Sequence, residues 1–185
     1  MKLRNRSKRP LTLKSLWHYF SIYTLAIMVS TSLLSGCSFK YSFSGASIPP
    51  EVKTLFIANF QNDALGPANL GQDFTDRLKE YYQQNSSLDI VDRNGDWSIS
   101  GSVTNYSVAP IALTAQSAAA SNRLTIAINV VFESKKDETK NFTQSFSQFA
   151  DFPQNQTLSQ VETEKINEIF EKLLLDIFNR TAANW

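Results

Sequence analysis

Cysteine and histidine are nearly absent from this 185-residue chain, which has one of each, Cys37 and His18. A lone cysteine cannot form an intramolecular disulfide. No histidine follows residue 18 and no cysteine follows residue 37. That removes His-based triads, Cys–His nucleophile pairs and the usual zinc sites from everything downstream. Carboxylate pairs, a Ser–Lys pair or an all-oxygen metal site are the chemistries left. Basic charge is also short where nucleic acid would need it. The formal net charge is +1, but Lys2, Arg4, Arg6, Lys8, Arg9 and Lys14 all lie in residues 1–36, which hold no Asp or Glu. Residues 37–185 therefore carry twelve basic and seventeen acidic side chains, a net of −5. An acidic domain does not bind phosphate backbones through bulk charge. There is no internal repeat, and the only low-complexity stretch is rich in alanine.

The first 37 residues have a definite order. A basic stretch runs from Met1 to Lys14, an apolar stretch from Leu16 to Leu34, and then comes Leu34-Ser35-Gly36-Cys37. Basic, then apolar, then small is the order of a secretory signal. The last four residues resemble the lipobox of bacterial lipoproteins. That resemblance implies cleavage after Gly36, with a diacylglycerol and an N-acyl chain on Cys37. Small residues at 35 and 36 let a peptidase bring its catalytic groups against the backbone. Several acyl chains on one residue make a stable anchor. The competing reading is a plain transmembrane anchor, because the apolar run is about long enough to span a bilayer. The expected organisation is a signal peptide over 1–36, a lipidated tether over 37–50 and one domain over 51–185.

The pattern of residues 51–185 alternates strands and helices. Residues 52–60 read as a buried first strand. Leu70, Phe74, Leu78, Tyr81 and Tyr82 recur at helical spacing. Asn69 and Gln72 suggest a capping pair, and Asp73 and Arg77 an ion pair across one turn of a solvated face. Residues 88–92 and 96–104 read as strands joined by Asn94-Gly95, hence a hairpin. Asp92, Asn94 and Asp96 have the opening spacing of a calcium loop. Trp97 and Val103 stand where that loop needs glycine and an acid, so the turn reading holds. Residues 110–122 are a connection of small residues. Residues 123–133 alternate most clearly, with Leu124, Ile126, Ile128, Val130 and Phe132 on one face. A polar turn, Lys135-Lys136-Asp137-Glu138, leads to a strand over 140–150, where Gln144 and Gln148 share a face with Phe142 and Phe146. A helix from Ser159 to Asn179 carries a wide apolar stripe and opens on Ser159 and Glu162 as a capping box. Trp185 is expected to pack against the domain. Together these predict an α+β fold with two layers, in which two helices cover a mostly antiparallel sheet of four to five strands.

Tyr41–Pro50, Val52–Phe60, Asn122-Arg123-Leu124 and Phe178–Trp185 resemble the LptE family of lipopolysaccharide-assembly lipoproteins. The resemblance implies a sheet covered by two helices and a non-enzymatic role. It implies an LptD-like outer-membrane β-barrel as partner, whose lumen the domain plugs and whose assembly it assists. It implies lipopolysaccharide as ligand. Ser38, Phe39 and Lys40 follow Cys37 with no acidic run that resembles a surface-export signal, so the periplasmic face of the outer membrane is the expected location. A barrel lumen is polar, and the Ser, Thr, Asn and Gln rows of the strands suit it. The alternative is a pilotin-like lipoprotein assembling a different outer-membrane channel. No metal and no nucleic acid is expected. Lipid A phosphates favour clustered cations. Lys135, Lys136 and Lys140 in the polar turn, and Arg123 at the opposite end of the strand, are the candidate lipopolysaccharide contacts. The competing reading makes the lysines an ordinary turn paired with Asp137 and Glu138, and makes Arg123 an inward or edge residue.

Overall fold

A computed structural model describes residues 48–111 and 120–183. The signal and lipobox residues Leu34, Ser35, Gly36 and Cys37, most of the tether and Trp185 lie outside the described residues, as does the middle of the Ala-rich connection. The elements run β1 (Thr54–Ile57), β2 (Gln61–Asn62), α1 (Leu70–Asn85), β3 (Asp89–Val91), β4 (Trp97–Ile111), β5 (Ser121–Ser134), β6 (Phe142–Pro153) and α2 (Leu158–Phe178). They form an α+β fold around one mixed sheet of six strands, in the order β3-β1-β4-β5-β6, with β2 paired to β4.

The long strands follow from alternation. In β5 every second residue from Leu124 to Ser134 is buried, and the residues between are half-buried or exposed. Trp97, Ile99 and Val103 of β4 and Phe146, Ala150 and Phe152 of β6 complete that inner face. Both helices cover it. Leu70, Phe74, Leu78 and Tyr82 of α1 and Ile169, Phe170, Leu173 and Ile177 of α2 are buried against it. Phe60, Phe74 and Phe170 make a run of edge-to-face rings with centroids 5.2 and 5.1 Å apart. Gln144 and Gln148 do share the inner face of β6, where residues in α2 and just beyond its end engage them. Gln148 donates to Asp176 at 2.6 Å, and Arg180 donates to Gln144 at 3.3 Å.

The sheet is mixed, because β1 pairs in parallel with both β3 and β4, and β2 in parallel with β4. The expected hairpin between residues 88–92 and 96–104 is therefore absent. Asn94 does adopt the positive φ (59°) that its Asn-Gly step allows, but residues 92–96 carry the chain across β1 rather than back beside β3. The backbone at Gly95 touches β1. A Cβ there would lie 2.5 Å from the Phe56 nitrogen and the Trp97 oxygen, so the crossing needs glycine.

Other local expectations also shift. The predicted 52–60 strand shrinks to β1, and pairing resumes only at β2, because the amide of Phe60 between them turns to the Thr75 hydroxyl of α1 (2.9 Å). Gly71 lets α1 come that close, since a Cβ would lie 2.4 Å from the Phe60 oxygen. Asn69 makes no side-chain cap and donates to Asp73 instead. Arg77 does not pair with Asp73. It donates to Asn167 of α2 at 2.6 Å. The box that opens α2 is Thr157 with Gln160, whose side chain accepts the Thr157 amide at 2.9 Å. Glu162 is engaged by the Tyr106 hydroxyl at 2.6 Å.

Candidate functional site

The lysine turn joins β5 to β6 through a short 3-10 turn, Glu138–Lys140. Asp137 caps it, accepting from the Thr139 amide at 3.1 Å and from its hydroxyl at 2.5 Å. Those bonds, the Thr139 hydroxyl first, hold its carboxyl below the usual range, with help from Lys140. Lys135 and Lys136 are exposed and Lys140 half-buried. Lys136 does not pair with Asp137 or Glu138 but reaches Asp96 at 3.5 Å. The turn is thereby tied to the crossing over β1.

Asp96 organises that corner. It accepts from the amides of Lys53 (3.0 Å) and Thr54 (3.1 Å) and from the Thr54 hydroxyl (2.9 Å). Its own amide donates back to Thr54, and its carbonyl accepts from Lys135. The Lys53 amide, then the Thr54 hydroxyl, pull its pKa down to about 2. Sequence reasoning met Asp96 only as a failed calcium ligand. Its real partners lie more than forty positions earlier, so no local spacing could reveal them.

Arg123 is at the other end of β5, on the sheet face that the helices leave uncovered. It is neither inward nor on an edge strand, since β5 runs between β4 and β6. It binds Asp151 of β6 with two parallel bonds of 2.7 and 2.9 Å and stacks on Phe149, its guanidinium 3.6 Å from the ring centre. Arg123 and Asp151 are directly opposite in register. The Arg123 guanidinium holds the Asp151 carboxyl below its usual range. The structure thus separates Arg123 from the lysine turn, as strand length required.

The uncovered face is built from small polar residues. Ser98, Ser100 and Ser102 of β4 stand opposite Glu133, Val131 and Asn129 of β5, and Thr143 and Ser145 of β6 continue the rows. Two clefts lie elsewhere. One of about 380 Å³ is at the carboxyl ends of β1 and β3, with Asn59, Lys79 and Asp92 on its rim. The other, of about 270 Å³, lies between the helices, where Arg77 bridges to Asn167. Asp92 is the one carboxylate lining the first, and Asp73 and Glu162 line the second. Among the described residues no group of acidic side chains has metal-binding spacing, and no helix is long and apolar enough to cross a membrane.

The family model for LptE, described as lipopolysaccharide-assembly, matches residues 52–181. No curated protein is significantly similar in sequence. Among solved structures, the chain is similar to a minor lipoprotein from Acinetobacter baumannii, at 15% identity and a TM-score of 0.46, over 70% of this chain and 92% of that one. It is also similar to lipoprotein B from Nitrosomonas europaea, at 12% identity and a TM-score of 0.46, over 77% and 87%.

Proposed function

The chain belongs to the LptE lipopolysaccharide-assembly family, and from that premise we propose that it is the lipid-anchored, non-enzymatic partner of an LptD-like outer-membrane barrel. In this reading the domain plugs the barrel lumen, assists its assembly and assists the insertion of lipopolysaccharide. Cys37 carries the lipid, and the periplasmic face of the outer membrane is where the domain sits. The observation that carries the reading is the family match over 52–181. The uncovered sheet face supports it, because rows of serine, threonine and asparagine suit a polar lumen. The pilotin alternative has no support from the family match. Depletion in cells tests the proposal. Surface lipopolysaccharide should fall and folded barrel should disappear from the outer membrane. Normal amounts of both after depletion would contradict it.

The lysine turn is the proposed lipopolysaccharide contact. Lys135, Lys136 and Lys140 gather cations at one end of the sheet, on a domain otherwise acidic. Arg123 is less available, because its Nε and Nη2 already donate to Asp151 and its face stacks on Phe149.

A further inference from the structure

The outer strand β6 has a free edge, since among the described residues it pairs only with β5. Its pairing with β5 is continuous from Phe142 to Pro153 without a register shift, whereas β4 and β5 slip between Val103 and Asn105. Protein edges are normally blunted by lysine, proline or a bulge. From Thr143 to Phe149 the strand reads Thr-Gln-Ser-Phe-Ser-Gln-Phe and has none of these. Asp151 is committed to Arg123, and Pro153 comes only at the far end.

Which backbone groups face outward follows from the ladder. The Gln154 amide donates to the Ala120 carbonyl at 3.2 Å, directly opposite in the same register. Hydrogen-bonded pairs recur every second residue in an antiparallel ladder, so even-numbered residues of β6 bond to β5 and odd-numbered ones turn out. The Lys172 ammonium agrees, since it caps the outward carbonyl of Phe149 at 3.0 Å. Thr143, Ser145 and Ser147 thus turn both amide and carbonyl to the edge.

The position of α2 limits the occupant. Lys172 and Asp176 of α2 bond to β6, and Arg180 just beyond its end does too, so α2 lies over the edge strand itself. Paired strands lie about 4.8 Å apart, whereas packed helices need about 8–10 Å. A second copy docked edge to edge would drive α2 into its counterpart. The edge is also short against the roughly 1,600 Å² of a stable interface, so its occupant must be held by other contacts as well. A bare extended segment of a larger partner meets both conditions. Phe149, 42% exposed, stands on the uncovered face of the edge strand itself. The run from Thr143 to Phe149 carries no charged side chain and matches an uncharged segment.

We propose that the edge of β6 from Thr143 to Ser147 receives an extended, uncharged segment of the barrel partner as an added strand, ending at the Lys172 cap on Phe149. This rests on the barrel reading above and specifies how the barrel is held. The full chain is co-produced with the barrel as wild type, Ser145→Ala and Ser145→Pro. Proline removes an outward amide that β5 does not use, which edge strands tolerate, and alanine keeps it. Wild type and Ser145→Ala should recover the barrel equally, and Ser145→Pro at least tenfold less. Hydrogen exchange over residues 142–148 of wild type should slow in the complex relative to the free chain. Unchanged exchange there, with the barrel recovered, overturns the proposal even where Ser145→Pro fails to fold. Equal recovery by a folded Ser145→Pro overturns it too. Failure of wild type to recover the barrel overturns the barrel reading itself, and this proposal with it.

Discussion

Asp96 makes a prediction with a definite sign. Its ordinary pKa is 3.8, and its folded value is about 2. The stabilisation from its charged form is fully present above pH 4 to 5 and is lost as pH falls through 2. Asp96→Asn should lower the melting temperature at neutral pH. The gap to wild type should close between pH 4 and pH 2. A gap that stays constant over that window would refute the assignment. A residue pair, Tyr82 and Thr181, joins α1 to the π-turn Asn179–Ala183. The Thr181 hydroxyl donates to the Ile177 carbonyl at 2.8 Å, so the buried Tyr82 hydroxyl must donate to Thr181. Burial drives the Tyr82 phenol well above its ordinary range. Tyr82→Phe leaves Thr181 satisfied and should cost about 1 kcal/mol, whereas Thr181→Val strands the Tyr82 hydroxyl and should cost about 1–3 kcal/mol. Urea unfolding of the two variants measures the difference. None of these partnerships was legible in the sequence, because each joins residues far apart in the chain.

At the scale of elements, β5 and α2 were legible and the β3–β4 connection was not. Leu124 to Phe132 alternate so regularly that one face must be buried, and the stripe from Ile166 to Phe178 fixes the face of α2. The connection misled because Asn94-Gly95 supplies positive φ whether the chain turns back or crosses a neighbour. What distinguishes the two is Gly95 pressed on the β1 backbone, a contact between elements. Gly95→Ala should therefore cost about 1–3 kcal/mol by overpacking, read as a lowered unfolding midpoint. In a true hairpin the same change would matter less. The lysine turn gives the other prediction at this scale. Changing Lys135, Lys136 and Lys140 to Ser should leave the fold intact, since the Lys136 side of the ion pair to Asp96 is exposed and surface pairs add at most about 1 kcal/mol. It should weaken lipopolysaccharide binding, and salt should weaken wild type more than the variant. Equal affinity and equal salt response would remove the turn as a contact.

For the whole molecule, the α+β class and the family were readable because both are spread along the chain, in hydrophobic periods and in the matched stretch 52–181. Parallel pairing was not, because β1, β2 and β3 are short and give no alternation long enough to orient them. The Leu34-Ser35-Gly36-Cys37 motif carries a separate prediction. Mass spectrometry of the mature protein should find an acylated Cys37 as its first residue, and a terminus elsewhere without acyl chains would contradict it. The proposed role is that the domain works by occupying a barrel. Its most direct test is the native mass of the complex purified through the full chain from detergent-solubilised membranes. The account predicts one chain bound to one barrel of the lipopolysaccharide export system. Recovery of the chain alone, or with a secretion channel and no such barrel, would contradict it.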